Sequence, residues 1–361
     1  MTYKTMRLYY FGNEQQKEDV YFQVIIPLFN KYLKPNTYFI KRDWNGGPNY
    51  KIIFDKQKFD QYSLYKEYLN ILEKEYLVSE KELLTNIISY QQLGSVIGEI
   101  ERTSKDSIDK KNHLKMSVKS LDIIQMKKLY NSQGHLQLQF SSLMKLQNFV
   151  NQWGREINSL PVRERYILLM QLMLQILRYS NLEDKYSMIV YLSNSEGILA
   201  IADEYGKRRN LISKFNLLYT SLPLATLRSS KSAFLNIFNH WERLFDRIDK
   251  EISDYLQKDK LYMVGYYSKE EQYEHLQQNI QRINSDFHNQ VILDSVQDIT
   301  SHKIHQQFRL LINIEYQLMH MLGVTFKEKA FLCYALPRFI MEEIGSSWQD
   351  ILSERKIMNE T

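Results

Sequence analysis

The chain has 361 residues, of which 44% are hydrophobic and 25% charged, and its formal net charge is +5. This composition is ordinary for a globular protein, and a chain of this length can bury a core without disulfides or structural metals. The single cysteine, Cys333, excludes an intramolecular disulfide, and it fits a reducing compartment. No apolar run approaches the ~20 residues that a membrane span needs. The opening Met1–Phe11 lacks a signal-peptide pattern, so we expect a cytoplasmic protein with no membrane partner.

The first part of the chain alternates between β-rich runs and helical periods, separated by turn-forming residues. Apolar residues at a spacing of four predict the first helix, in which Pro27 should cause a kink or an early end near Ile26. The predicted elements are a strand over Thr5–Phe11, a helix over Gln15–Leu33, strands over Thr37–Arg42 and Tyr50–Phe54, and a helix over Phe59–Leu77. This order makes up most of a ferredoxin-like unit.

The remainder is predicted to be mainly helical. The long periodic segments are Glu80–Glu101, Arg163–Arg178, Ser232–Leu256, Lys269–Phe287 and His302–Leu322. The polar stretch Arg102–Asn112 predicts a loop, and the alternation over His135–Phe140 is compatible with a short strand. We therefore predict an α+β protein. Its residues 1–140 form an α+β domain with a ferredoxin-like βαββα start, and residues 141–361 form a mainly helical region that packs on it as one unit.

The positive charges are mostly interleaved with Asp and Glu, which is not the pattern of a nucleic-acid-binding protein. The tightest basic cluster is Lys207, Arg208 and Arg209, with Lys214 nearby. It is interpreted as a solvated helix end, and the alternative is a patch for an acidic peptide or tRNA. We expect no nucleic-acid partner.

Familiar nucleotide and metal motifs are missing from the sequence. Gly46-Gly47 is followed neither by a GxGxxG helix start nor by a Walker-type lysine, and there is no G-x-S-x-G elbow. His302 and His305 stand three residues apart, but no cysteine or second close histidine pair accompanies them. The sequence therefore predicts no metal and no cofactor.

One predicted helix, His302–Leu322, carries a polar stripe. The stripe residues recur at steps of four, four, three and four: His305, Arg309, Asn313, Tyr316 and His320. The opposite positions are apolar. The stripe is either an ordinary surface face or the lining of a cleft, where histidine and tyrosine serve general acid-base chemistry.

The opening of the chain resembles the family of thiopeptide-type bacteriocin biosynthesis proteins and lanthipeptide-dehydratase small domains. The resemblance is carried by Arg7–Phe11 and by Tyr38–Phe54, with the layout F-I-x-R-x-W-x-x-G-P-x-x-x-I-x-F. It covers about 50 residues well and the rest loosely. Leu93–Glu101 and Tyr316–Leu336 resemble later family segments.

The resemblance implies action on ribosomally made precursor peptides that carry a leader. One branch of the family expels glutamate from glutamylated Ser or Thr. The other branch joins two dehydroalanines in a formal [4+2] cycloaddition, and then loses water and the leader to leave a pyridine. Other enzymes of the same pathway are implied as partners.

The departures from the family pattern separate the two branches. Arg42 matches the first family arginine, whereas Met126–Ser132, which corresponds to the segment of the second, has none. Asn49 stands where the family has histidine after the turn proline. Without a gap, Tyr316 matches the C-terminal family histidine. A gapped alignment keeps His320 instead, but the deletion would rotate the helix face by about 200°.

Glutamate elimination needs cations that hold the glutamyl carboxylates, and this chain lacks the second family arginine. The pyridine-forming branch is therefore favoured, because it mainly needs two alkenes held in reacting geometry. A non-catalytic leader-binding partner of a split dehydratase is the further alternative. The predicted catalytic residues are Tyr316, His320 and Arg42. The predicted substrate-binding residues are Trp44, Asn49, Lys51, Arg309, Asn313 and Gln317. Arg42 has a structural alternative, an ion pair with Asp43 or Asp55 at a strand edge. If Arg42 and Lys51 both point into a cleft under the Tyr316 helix, the functional interpretation is favoured. If they diverge, it is weakened.

Overall fold

The computed structural model describes residues 3–43, 46–55, 59–101, 108–121, 133–229, 234–258, 274, 285–290 and 303–360. Within these ranges the protein is α+β, with one four-stranded antiparallel sheet near the start and helices elsewhere. Among the described helices, none has the length and apolar character for a membrane crossing.

The sheet contains strands β1 (Tyr3–Tyr9), β2 (Tyr38–Asp43), β3 (Asn49–Asp55) and β4 (Met116–Ser120). Their spatial order is β2-β3-β1-β4, and each neighbouring pair is antiparallel. The three strands predicted from the sequence are confirmed to within two residues at each end. The fourth strand was not predicted.

The predicted first helix forms, and it does not end near Ile26, because the backbone stays helical from Glu14 to Tyr32. The kink at Pro27 stays a prediction. Helix α1 (Glu14–Asp19) begins at a capping box, in which Asn13 accepts from the Gln16 backbone and the Gln16 side chain accepts in return. A π-helical turn (Val20–Ile25) follows, and helix α2 (Ile26–Tyr32) carries Pro27 in its first turn. Proline has no N–H to donate, so the helix lacks one backbone hydrogen bond at Pro27, directly after the π-helical turn.

The remaining helices are as follows, with short 3₁₀ turns between some of them. They are α3 (Gln61–Glu75), α4 (Glu80–Glu101), α5 (Gln133–Ser159), α6 (Val162–Leu177), α7 (Asp184–Ser187), α8 (Ile189–Glu204), α9 (Arg208–Thr220), α10 (Leu235–Lys258), α11 (Lys303–Met321), α12 (Phe326–Ile344) and α13 (Trp348–Glu360).

The strand proposed for His135–Phe140 is wrong, because this segment is the first part of α5. Buried apolar residues continue beyond it at helical spacing, from Leu136 and Phe140 through Leu143 to Val150. A helical period over 27 residues buries more apolar surface than a six-residue alternation. The helix predicted over Lys269–Phe287 lies almost wholly outside the described residues.

The chain divides into two compact units. The first comprises 1–126, 140–158 and 320–323, and the second comprises 127–139, 159–319 and 324–361. The division falls inside α5 and α11, so each of these helices contributes to both units. The domain boundary predicted at residue 140 stays a prediction.

In the first unit, the two faces of the sheet are formed by alternate residues, as the two-residue period of a strand requires. One face carries Met6, Leu8, Ile40 and Ile52, each with no exposed surface. The opposite face is apolar at one end, where the Phe140 ring packs edge-on against Phe39 at 5.2 Å. Arg7, Lys41, Asp43 and Lys51 stand on this opposite face.

The second unit is a helical assembly with an apolar core. Helix α10 buries an apolar stripe that includes Trp241, Phe245, Ile248 and Ile252. Helix α12 packs against α8. It begins at a capping box formed by Thr325 and Glu328, and it ends at Gly345 in the left-handed conformation.

Candidate functional site

Three cations form one row across the sheet of the first unit. Lys41 of β2 lies directly opposite Lys51 of β3, and Lys51 lies opposite Arg7 of β1. Because directly paired residues of antiparallel strands point to the same side, the three side chains share one face. Asp43, two residues after Lys41, stands on the same face. It pairs with Arg7 at 3.2 Å and with Lys51 at 3.9 Å.

Lys41 is the unusual member of this row. Its ammonium lies 5.7 Å from the centre of the Phe39 ring, and no ion pair joins it to a carboxylate within the described ranges. Burial, together with the neighbouring Lys51, lowers the pKa of Lys41 from 10.5 to about 8, although Asp43 opposes the shift. Burial also lowers the pKa of Lys51, again against the effect of Asp43. The face therefore carries a desolvated excess of positive charge.

Arg42 points to the other face, because it is paired with Tyr50 and not with Lys51. Its guanidinium forms a two-point ion pair with Glu18, with Nη2 at 2.9 Å from Oε2, and it lies 4.5 Å from the centre of the Tyr21 ring. The suggested pairing with Asp43 or Asp55 is therefore wrong. Arg42 and Lys51 diverge, which weakens a single site containing both of them.

Gly323 lies against this ion pair. Its φ is +83°, and a Cβ atom there would come within 2.6 Å of Glu18 Oε2 and 3.0 Å of Arg42 Nη2. A side chain would require the ion pair to move, so glycine is needed here for close approach as well as for its backbone conformation.

His320, which belongs to the same unit, is exposed. Its Nε2 atom lies 3.4 Å from the carbonyl oxygen of Arg42. The ring is therefore next to the end of β2, where it is accessible to a partner in solution. Its catalytic role stays a prediction.

The turn between β2 and β3 carries two predicted binding residues. Asn49 is buried, and its side-chain amide donates to the carbonyl of Gly47 at 2.9 Å. Gly47 has φ +112°, and the Phe11 ring occupies the space that a Cβ atom would take. This contact uses the Asn49 side chain to hold the turn. Trp44 lies outside the described residues.

Tyr316 belongs to the second unit, where its hydroxyl accepts a hydrogen bond from the Cys333 thiol at 3.6 Å. The Lys329 ammonium lies 4.7 Å from the centre of the Tyr316 ring. Burial raises the pKa of the Tyr316 hydroxyl well above 10 and the pKa of the Cys333 thiol to about 12. Tyr316 can act as a neutral hydrogen-bond donor, and Cys333 is a poor nucleophile.

Glu315 is a chemically distinctive residue that the sequence reasoning missed. Its side chain has no exposed surface, its Oε2 atom lies 2.6 Å from the Tyr191 hydroxyl, and Oε1 has no hydrogen-bond partner within the described ranges. Burial raises its pKa well above 4.5, although the bond from Tyr191 opposes the shift. In the protonated form, Glu315 can donate to Tyr191, whose hydroxyl lies 3.3 Å from the Met173 carbonyl.

A signal for Glu315 does exist in the sequence. It lies four residues after Leu311 and three before Leu318, which places it on the apolar stripe of α11. A carboxyl group at such a position must be paired or protonated when the helix packs.

The other predicted residues of α11 are not equivalent. Arg309 and Gln317 are half-buried, and Asn313 is exposed. Oε1 of Gln317 is buried without a hydrogen-bond partner within the described ranges. His302 lies outside the described residues, and the side chain of His305 is not described. No cluster of metal-ligating side chains occurs in the described part of the chain.

Comparisons with known proteins find solved structures of similar fold, but no sequence match. No known family profile matches the sequence, and no curated protein sequence matches it. Two solved structures are similar in fold, each at 12% sequence identity. One is TbtD, a pyridine synthase from thiomuracin biosynthesis, with a TM-score of 0.61 over 96% of this chain and 99% of that one. The other is TsrL, with a TM-score of 0.63 over 97% of both chains.

Proposed function

We propose that this protein is a peptide-modifying enzyme of thiopeptide-type antibiotic biosynthesis. The proposed reaction joins two dehydroalanines in a formal [4+2] cycloaddition and forms the pyridine of a macrocycle, with release of the leader peptide. The observation that carries the proposal is the fold similarity to TbtD, a pyridine synthase, over almost the full length of both chains. Fold alone does not specify a reaction, so the argument also depends on the residues.

The organisation of the first unit supports the proposal. We assign its β1, β2, β3 and β4 to a ferredoxin-like arrangement. The order β2-β3-β1-β4 with antiparallel neighbours agrees with this assignment, and so does the placement of helices between β1 and β2 and between β3 and β4. It extends the partial unit expected from the sequence by one strand.

The state of Arg42 favours cycloaddition over glutamate elimination. An eliminating enzyme needs cations that are free to hold the glutamyl carboxylate. The guanidinium of Arg42 is already engaged by Glu18 through two contacts. An incoming carboxylate would have to displace Glu18, and removing one partner of such a pair is costly. In our proposal, Arg42 holds the end of β2 and does not bind substrate directly.

The cycloaddition needs two alkenes held in reacting geometry and an amide held in its iminol form. We keep Tyr316 and Gln317 of the second unit, and His320 of the first unit, as proposed hydrogen-bond donors to the substrate. Burial keeps the Tyr316 hydroxyl neutral by raising its pKa, which suits a donor.

The proposed substrate is a ribosomally made precursor peptide that carries a leader, delivered in the cytoplasm by other enzymes of the pathway. Lys51 and Arg309 are assigned to charged groups of that peptide. The assigned polar and aromatic contacts are Asn49, Asn313 and Trp44. No nucleic acid, membrane, metal or cofactor enters this proposal.

Elimination remains the second candidate because of the row formed by Arg7, Lys41 and Lys51. Three cations with one carboxylate, Asp43, leave an excess positive charge on that face. A glutamyl carboxylate would complement it. The third candidate, a leader-binding protein without catalysis, needs neither this row nor the donors of α11.

Mass spectrometry separates the three candidates. The purified protein is incubated with a leader-bearing, azole-containing peptide that already carries two dehydroalanines, and separately with a glutamylated precursor. Formation of the macrocycle with a free leader supports the proposal, and Tyr316→Phe is then expected to slow it. Loss of glutamate from the second peptide instead establishes elimination. Leader binding without either product establishes the non-catalytic role.

A further inference from the structure

The paired lysines of the sheet are an uncommon arrangement. Like charges directly opposite each other on antiparallel strands repel, and the usual cross-strand partner of a lysine is a carboxylate or a polar residue. Here Lys41 and Lys51 are such a pair, and both are half-buried. The arrangement costs stability, so it calls for a chemical explanation.

The charges around the pair are divided unequally. Asp43 is shared between Lys51, at 3.9 Å, and Arg7, at 3.2 Å. Lys41 has the Phe39 ring as its partner, and no ion pair to it occurs within the described ranges. The groups that act on its charge are therefore Lys51 from β3 and Asp43 from its own strand, on a face whose burial disfavours any charge.

These surroundings favour the neutral amine. Desolvation and a neighbouring cation are the two influences that turn a lysine into a base near neutral pH. They lower the pKa of Lys41 to about 8. Lys51, whose positive charge is offset by Asp43, remains beside it as the cation.

We propose that Lys41 is the catalytic base of this protein, with Lys51 as the neighbour that keeps it unprotonated. This inference rests on the proposed function. The neutral amine accepts the proton of the reacting amide N–H and becomes an ammonium. That ammonium then returns the same proton to the amide carbonyl oxygen, which leaves the iminol. No oxidant, reductant or metal is required, because the step only moves a proton within the substrate.

Other ionisable groups serve this role less well. The Tyr316 hydroxyl holds its proton, because burial raises its pKa well above 10. His113 is a half-buried acceptor, and its Nδ1 atom already accepts a hydrogen bond from the backbone N–H of Phe11 at 3.1 Å. Lys41 is half-buried, and within the described ranges no ion pair engages its amine.

Competitive acetylation tests the protonation state without any substrate. The whole protein is treated with trace acetic anhydride from pH 6 to 11, and each lysine is quantified by mass spectrometry. The exposed Lys66 of α3 serves as the internal reference. At pH 8, a lysine with a pKa of about 8 is half neutral, which exceeds the neutral fraction of an ordinary lysine by roughly 150-fold. Half-maximal reactivity of Lys41 near pH 8 supports the proposal, and titration together with Lys66 overturns it.

Lys51→Gln removes the neighbouring cation and should move the reactivity profile of Lys41 to higher pH. The shift is expected to be only part of the way from 8 to 10.5, because burial is the larger cause and persists in the variant. An unchanged profile would remove Lys51 from the proposal.

Turnover of the dehydroalanine peptide tests catalysis. Lys41→Met and Lys41→Arg should both lower kcat by roughly 10²- to 10⁴-fold with peptide binding retained, since arginine keeps the charge but cannot act as the base. Lys66→Met, at an exposed lysine of α3, is the matched control and should retain full rate. Full activity of Lys41→Arg would show that a cation suffices and overturn this inference alone. An inactive wild-type protein would refute the proposed function instead.

Discussion

Glu315 gives the sharpest test of the structure, because the sign of its effect on stability is fixed by burial. The pKa of its carboxyl is raised well above 4.5 by burial in the native state, while the unfolded chain has the ordinary value. Its contribution to stability is therefore complete below pH 4.5 and is lost as pH rises towards the folded-state pKa. Over that window each pH unit costs about 1.4 kcal/mol, because the unfolded state alone releases the proton.

Glu315→Gln removes the titration and keeps both the size and a hydrogen-bond donor for Tyr191. At pH 4.5 the variant should differ from wild type by no more than about 1 kcal/mol, which is the net value of one hydrogen bond. Its advantage should then grow by up to about 1.4 kcal/mol for each pH unit. Urea unfolding followed by circular dichroism at pH 4.5, 5.5, 6.5 and 7.5 measures the difference.

Glu342→Gln is the matched control. Although burial opposes the effect, hydrogen bonds from Tyr219 and Arg338 lower the pKa of Glu342. A lowered folded-state pKa contributes stability above the unfolded value and loses it only in acid. The control should therefore show no growing advantage between pH 5.5 and 7.5. If the difference for Glu315→Gln is also constant across this range, Glu315 is ionised in the native protein and the reasoning fails.

Three further predictions follow from single contacts. Gly323→Ala should destabilise the protein by about 1 kcal/mol or more beyond the effect of Gly345→Ala. Both glycines have positive φ, but only at Gly323 would the added Cβ atom contact other residues, namely Glu18 and Arg42. Equal melting temperatures for the two variants would contradict the close approach. A double-mutant cycle with Glu18→Gln and Arg42→Met should give a coupling energy of about 1–3 kcal/mol by denaturant unfolding, and additive effects would show that the pair is not formed. Iodoacetamide should leave Cys333 unlabelled in the native protein at pH 8, since burial raises the pKa of this thiol to about 12; rapid native labelling would refute its burial.

The similarity in fold and the residue chemistry bear on different parts of the proposal. Similarity to TbtD concerns the path of the backbone over nearly the whole chain. The proposed choice of reaction depends on side chains, namely the engagement of Arg42 by Glu18 and the Lys41 amine, which no ion pair engages within the described ranges. Substitutions of Lys41 therefore test the proposed chemistry separately from the similarity in fold.

Much of the secondary structure follows from local sequence. The β-rich runs at the start and the helical periods of α6, α10 and α11 were all predictable, because each segment is long enough to display its period. Strand alternation also separates Arg42 from Lys41, since adjacent residues of a strand point to opposite faces. Whether Lys51 shares a face with Lys41 or with Arg42 depends on the register between β2 and β3, which only the folded chain decides.

Other features depended on contacts between residues far apart in the chain. The alternation over His135–Phe140 was overridden by the longer helical period of α5, and β4 pairs with β1 across more than 100 residues. The partner of Arg42 is Glu18 on a helix, 24 positions away, and not an acid on a neighbouring strand position. Local patterns cannot select such partners, because their choice depends on packing.

The chemistry of the ionisable groups belongs wholly to the tertiary structure. The sequence by itself determined that Lys41 is a lysine on a strand and that Glu315 lies on an apolar helix stripe. Only the folded chain decided that Lys41 faces Lys51 with no ion pair of its own among the described residues, and that Glu315 has no exposed surface. The physical reason is that charge stability depends on solvation and on neighbours within a few ångströms, and folding assembles both from distant parts of the chain.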